Sequence, residues 1–395
     1  MGRVVLKAGK DKAVRNHHPW VFSGAVERLE GDPTDGDIVD VVDVDRRFLA
    51  RGYINRRSQI VVRLLSWSED EPVDDAFWSR RIASSIERRR NLSDTPETVA
   101  FRLIHAESDL LPGLVVDRYG DYLVMQVLTL GMEQRREEIA RFLAEIVRPA
   151  GIFERSDVDV RGKEGLPQRV GLLWGQEPPR PLPILENGYR FQVDIQGGQK
   201  TGFYLDQRRN RARLSAYGRG RRMLNAFAYT GAFAVYAAAC GAESIVNVDT
   251  SAVALEMARV NVAANADEGR SDEYIVGDVF SVLRGFRAEG RSFDLVVLDP
   301  PKFAYSQGQV QAACRGYKDI NLLAFQLLSP GGILFTMSCS GLVTPDLFQK
   351  VVFGASIDAH RDVQVLEKLS QAADHPLLLT FPEGEYLKGL VCRVL

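Results

Sequence analysis

Over the first 67 residues, apolar and polar positions alternate in short runs separated by turn residues. Val39 to Val44 alternates in part, Asp35-Gly36 marks a turn, and Ile60-Val61-Val62-Arg63-Leu64-Leu65 is β-rich. This pattern predicts a small β-barrel-like domain. Ser68 to Pro72 is a polar break, after which Phe77, Trp78, Ile82 and Ile86 recur at helical spacing from about Asp74 to Arg90. Strand-like runs at 114–116 and 122–127, a second helix over roughly 134–147, and further apolar runs at 151–154 and 171–174 predict a compact α+β segment. Pro178 to Pro183 reads as a linker. Beyond it the rhythm changes. Apolar runs at 223–226, 244–248, 274–276, 293–298 and 333–336 alternate with helical segments, which predicts a doubly wound sheet of buried parallel strands. Two last β-rich runs, 363–366 and 390–394, have no strong helix between them and are expected to pair as an antiparallel edge. The expected division is a β-rich domain over 1–70, an α+β middle domain over 71–185 and a Rossmann-like domain over 186–395.

A chain of 395 residues with 45% hydrophobic and 26% charged residues has material for two or three cores, which excludes a wholly disordered chain. No run approaches the roughly 18 apolar residues of a membrane span, and the N-terminus lacks an apolar signal core. Cys240, Cys314, Cys339 and Cys392 form no CxxC, so reduced thiols in a cytosolic protein are expected and no metal site is. The net charge of −2 hides segregation: residues 200–222 carry eight basic side chains against Asp206, and residues 1–25 carry five against Asp11. Such patches suit phosphate contacts in RNA, with Trp20, Phe22, Tyr53 and Tyr305 as candidate stacking partners for bases; Trp20 and Phe22 equally suit the barrel core. Arg88-Arg89-Arg90 reads instead as a solvated helix face.

In open α/β sheets ligands bind beyond the carboxyl ends of the strands. After the first strand comes Phe227-Ala228-Tyr229-Thr230-Gly231-Ala232-Phe233, a turn with one glycine. It lacks the GxGxxG that brings a backbone against a pyrophosphate, so a cofactor without phosphates fits better and a nicotinamide oxidoreductase is disfavoured. After the second strand, Asp249 suits ribose hydroxyls or caps a helix from Ser251, and both roles are compatible. After the third, Asp278 suits an adenine amino group. After the fourth, Asp299-Pro300-Pro301-Lys302-Phe303 sets a carboxylate on a stiffened backbone that positions a flat substrate. After the fifth, Cys339 lies between Ser338 and Ser340, facing the same pocket as Asp299. Cys240, Cys314 and Cys392 are expected in apolar packing.

The succession LNAFAYTGAFA, VDTS, GDVF, LDPPKF and SCS resembles class I S-adenosylmethionine-dependent methyltransferases. More narrowly it resembles the RlmI-type ribosomal RNA large-subunit cytosine-5 methyltransferases. His18 to Ser23 is similar to the opening of that family's PUA domain, and Glu107 to Tyr119 to its middle domain. Lys200 to Arg208 is similar to the segment that helps enclose the cofactor. The resemblance implies an S-adenosylmethionine site built from Tyr204, Asp206, Arg208, Phe227, Ala228, Tyr229, Thr230 and Gly231. Asp249, Thr250, Ser251, Asp278, Val279 and Asp299 complete it. It implies Cys339 and Asp299 as catalytic residues, Pro300, Pro301, Lys302 and Phe303 against the substrate, and 23S ribosomal RNA or a large-subunit precursor as partner. A homodimer is left open, as are methylation of a ring or exocyclic nitrogen, which needs no cysteine, and a nonenzymatic RNA-binding role.

Overall fold

The computed structural model describes residues 2–93, 95–267 and 269–395. They form two compact units. The first comprises the chain up to Ile184 together with Asp194–Phe203 and Asp374–Gly384; the second comprises Leu185–Val193, Tyr204–Ala373 and Glu385–Leu395.

In the first unit, strands Gly2–Leu6, Trp20–Phe22, Val26–Glu30, Ile38–Val42, Phe48–Ile54 and Ile60–Ser66 make one six-stranded sheet. Gly2–Leu6 runs parallel to Ile38–Val42 and antiparallel to Val26–Glu30. Val4, Leu6, Val39, Val41, Ile54, Val62 and Leu64 fill its core. A five-stranded sheet follows, ordered 169–175, 151–156, 122–127, 114–119, 100–105. The predicted first helix is Asp75–Glu87; Asp74 caps it by accepting the Phe77 N–H at 2.9 Å, and Phe77, Trp78 and Ile82 are its buried face. Tyr53 and Leu65 of the first sheet join that helix's core, so the two predicted N-terminal domains share packing. The expected linker is partly ordered as the strand Leu182–Glu186.

Two segments far along the chain complete this unit. The Phe381 ring lies 4.7 Å from that of Trp20, and Asp374 accepts the Arg102 N–H at 2.9 Å. Thr201 donates to the buried carboxylate of Asp117 at 2.6 Å.

The second unit is the doubly wound domain. Its strands are β1 (Arg222–Ala226), β2 (Ser244–Asp249), β3 (Glu273–Val276), β4 (Phe293–Leu298), β5 (Leu328–Ser338), β6 (Val363–Ser370) and β7 (Lys388–Val394), in the order β3-β2-β1-β4-β5-β7-β6. β1 to β5 pair in parallel, as their unbroken apolar runs require of strands covered on both faces. The two last strands do pair antiparallel, but β7 inserts between β5 and β6, leaving β6 alone at the edge. The helices are α1 (Arg208–Gly218), α2 (Ala232–Ala239), α3 (Ala252–Ala263), α4 (Val279–Ala288), α5 (Val310–Leu327) and α6 (Pro345–Asp358). α1 packs on α2 and α2 on α3, while α4, α5 and α6 form a second row. Ser251, Asp278 and Thr344 cap α3, α4 and α6 through their side chains, so β2, β3 and β5 each lead into a sharply started helix at the ligand-facing rim.

Candidate active site

Each parallel strand ends at the same rim, and the turn after β1 is the most strained feature there. Phe227, Tyr229 and Gly231 all have positive φ, at 60°, 46° and 75°. Two of the three carry a Cβ, a conformation that costs of order 1–3 kcal/mol each and concentrates at ligand sites. Glycine is required at 231, because a Cβ there would come within 2.7 Å of the Ala258 Cβ where α2 meets α3. The turn is held by Asp249, whose two carboxylate oxygens accept the N–H groups of Tyr229 and Ser251, each at 2.9 Å. Ser251, not Asp249, is the α3 cap. Thr230 is buried, and its Oγ1 has no hydrogen-bond partner among the described residues. Asp278 is exposed at the end of β3; one of its oxygens accepts the Ser281 N–H at 2.9 Å and the Ser281 hydroxyl at 2.8 Å. Val279 behind it is core.

Tyr204, Asp299, Cys339, Asp206 and Tyr229 converge. Burial, and then the nearby Asp299, Cys339, Asp206 and Tyr229, hold the Tyr204 phenol well above the usual tyrosine range. The Tyr204 and Tyr229 rings meet edge to face at 5.5 Å. Asp206 is buried and accepts the Tyr386 hydroxyl at 2.8 Å; Arg208 is buried beside it in sequence, at the start of α1. Gln207 donates to Asp299 at 2.8 Å and itself accepts from Asn210 at 2.6 Å, which fixes the carboxylate's orientation.

The loop after β4 and the turn after β5 are stitched together. The Ser340 hydroxyl accepts the N–H of Phe303 at 3.2 Å and of Ala304 at 3.3 Å, and the Tyr317 hydroxyl from α5 lies between Ser340, at 3.1 Å, and Ser338, at 2.9 Å. Cys339 is half-buried between those serines, its Sγ 3.9 Å from the Pro300 carbonyl. Pro300 is buried and Pro301 exposed, while the Phe303 ring packs 4.6 Å from Tyr317. Lys388, from β7, reaches under the same turn and donates to the carbonyls of Ser340, at 2.7 Å, and Val343, at 2.8 Å. The other thiols differ: burial pushes Cys392 up to about 12, and Cys240, just past the end of α2, donates to the Ala237 carbonyl.

Sequence reasoning missed Gln207, Tyr386 and Lys388. Only Lys388 carries a visible signal, a charge inside the apolar run Leu387 to Val391. The charge patches need correction. Arg211 is buried in a two-pronged ion pair with Glu186, at 2.8 and 2.6 Å, so it is not available to phosphate. Arg213 pairs with Glu367 and Arg222 with Asp294. Arg209 and Arg219 remain without an ion pair among the described residues. In the first unit Arg15 is paired with Asp11 and Asp43. Arg89, expected on a solvated face, is buried against Asp109 at 2.7 Å. Tyr53 is buried, donating to the Pro112 carbonyl at 2.6 Å, and is unavailable to stack on a base; Phe22 and Tyr305 are exposed.

A sheet of this order, with its reversed last strand and carboxylates at successive strand ends, is the architecture of a methyl-transferring enzyme. A family model described as an S-adenosylmethionine-dependent methyltransferase matches residues 165–378, and one described as a PUA-like domain matches 4–67. A Streptococcus mutans structure assigned as a SAM-dependent methyltransferase covers all of both chains with TM-score 0.86 at 23% identity. Another methyltransferase structure, complexed with SAH, does so with TM-score 0.87 at 24% identity. Proteins named ribosomal RNA large subunit methyltransferase I are 50% identical over 390 residues in Aeromonas salmonicida, covering 99% of this chain and 98% of theirs. In Shewanella amazonensis the identity is 51% over 392 residues, covering 99% of each. The chain belongs to this family of S-adenosylmethionine-dependent ribosomal RNA large subunit methyltransferases.

The rim fits S-adenosylmethionine. Each Asp249 oxygen accepts one N–H and keeps lone-pair capacity for a ribose hydroxyl, and Thr230 Oγ1 is a buried hydroxyl in need of a partner.

Proposed function

We propose that the protein methylates carbon 5 of a cytosine in 23S ribosomal RNA through a covalent adduct with Cys339. The observation that carries this reading is a thiol at the end of β5, stitched to the loop that bears Asp299. Nitrogen methylation has no use for that thiol.

Asp249, with Thr250 and Ser251, would hold the ribose of S-adenosylmethionine. Asp278 and Val279 would flank its adenine. Phe227 to Gly231 with Tyr204, Asp206 and Arg208 would enclose the rest. When bound, S-adenosylmethionine supplies the methyl group that carbon 5 accepts. The chain's own part begins with the cytosine, placed by Pro300, Pro301 and Lys302, with Phe303 as a wedge behind them. Asp299, oriented by Gln207, holds the cytosine edge and favours proton transfer at the ring. The Cys339 thiolate adds to carbon 6, forming an S–C bond and leaving carbon 5 electron-rich. Once carbon 5 is methylated, loss of its proton returns the electron pair to the ring, breaks the S–C bond and frees the thiolate.

Cys339→Ala should bind S-adenosylmethionine as the parent does yet lose essentially all transfer. RNA with 5-fluorocytosine at the target should trap the parent as a covalent complex, since fluorine does not leave as a proton does. The complex should vanish in Cys339→Ala and persist in Cys240→Ala. Nucleoside mass spectrometry showing a methylated nitrogen, or turnover by the alanine variant, would replace this reading with nitrogen methylation.

A further inference from the structure

Lys388 occupies an unusual place. It opens β7, is 4% exposed, and sits in register with Ser338, the residue before Cys339. A buried ammonium is costly unless its N–H groups are filled. Two of its three are filled by the Ser340 and Val343 carbonyls, the two ends of the turn that follows Cys339, and the third has no acceptor among the described residues. No carboxylate forms an ion pair with it among those residues, so its charge is not consumed by a structural salt bridge. A lysine that only braced two carbonyls would be replaceable by any neutral donor, and the apolar run around it offers no other reason for a charge.

We propose that Lys388 is a positioning residue for Cys339: it clamps the 339–343 turn to β7 and supplies the buried positive charge that favours the Cys339 thiolate. This rests on the reading of Cys339 as the nucleophile. The other groups acting here are Asp299 and Lys302 after β4, Tyr204 before α1, Tyr317 on α5 and Glu385 before β7. Both phenols are pushed up, chiefly by burial, and stay neutral. Asp299 and Glu385 oppose a thiolate, Lys302 and Lys388 favour it, and Lys388 is the better buried of the two cations. Burial pushes the Lys388 ammonium down to about 8, with nearby Cys339 and Glu385 acting in its favour. At pH 7 it is therefore still mostly charged, and its support for the thiolate fades as pH rises through that value.

The test is the pH dependence of Cys339 alkylation by iodoacetamide, read by peptide mass spectrometry on the full chain without RNA or methyl donor. The parent should reach half its maximal rate below the ordinary thiol value of about 8.5. Lys388→Gln, which keeps a donor and removes the charge, should move that midpoint up by about one pH unit, making alkylation at pH 7 roughly tenfold slower. Lys388→Arg should restore the low midpoint. An unchanged midpoint in Lys388→Gln overturns the proposal. If that variant does not fold, a parent midpoint at or above the ordinary thiol value overturns it equally. Failure here leaves the fluorocytosine trap intact, whereas failure of the trap leaves the alkylation profile readable, so the two readings fall separately.

Discussion

A carboxylate has about four acceptor positions, and Asp249 spends two on the N–H groups of Tyr229 and Ser251. The same side chain can therefore shape the strained turn and still receive hydroxyls. Asp249→Ala should weaken S-adenosylmethionine binding by about 1.5–3 kcal/mol, the range for hydrogen bonds to a charged group. Calorimetry would show this as a roughly tenfold to hundredfold rise in Kd, and an unchanged Kd would remove Asp249 from the ribose role. Residues of this kind are legible in a sequence because strand ends are legible: Asp249 and Asp299 follow an apolar run directly, and Cys339 follows one with only Ser338 between. Gln207 is not, since nothing in Leu205 to Arg208 tells which side chain turns toward Asp299. Charge counts mislead for the same reason. Arg211 and Arg209 look equivalent in a list of basic residues, and only folding puts one against Glu186 and the other in solvent.

That difference sets the behaviour of α1 as an element. Arg211→Met leaves Glu186 buried and uncompensated, which should cost about 3–5 kcal/mol in urea unfolding. Arg209→Ser should cost under about 0.5 kcal/mol. RNA binding should respond in the opposite sense. Neutralising Arg209 and Arg219 together should flatten the salt dependence by at most about two phosphate contacts; an identical salt slope would assign both to plain solvent exposure. The strands and helices around the site follow from the apolar runs and from the caps Ser251, Asp278 and Thr344. The place of β7 does not. Runs 363–366 and 390–394 have similar apolar character, and nothing local decides which one reaches β5. The register that brings Lys388 opposite Ser338 is thus a property of the sheet rather than of either segment.

At the scale of the molecule, a division by sequence runs in three consecutive blocks, whereas the first compact unit takes in Asp194–Phe203 and Asp374–Gly384. Rhythm and composition detect neighbours along the chain and are blind to a return after a long interval. A fragment of residues 186–395 would carry those two segments without their partners. It would lose the Trp20 ring for Phe381, the Arg102 N–H for Asp374 and the Asp117 carboxylate for Thr201. It would also bare Ile195 and Phe203, each 1% exposed in the full chain. Such a fragment should aggregate or melt well below the full chain in calorimetry. A soluble fragment with the parent's melting temperature would mean that the two segments are incidental to the first unit.

The interval has a temporal meaning during synthesis. When Phe203 has been made, the first unit still lacks Asp374, whose side chain takes the Arg102 N–H and whose carbonyl takes Arg89. Roughly 170 more residues must be added, which at 5–20 residues per second takes about 10–30 s. Until then a nascent chain lacks the acceptors that Asp374 provides: the Arg89 guanidinium keeps Asp109 but not the Asp374 carbonyl, and the Arg102 N–H lacks the Asp374 carboxylate. The N-terminal unit, first to be made, is among the last to close, and a ribosome-tethered chain halted before residue 374 should be its most protease-sensitive and chaperone-dependent form.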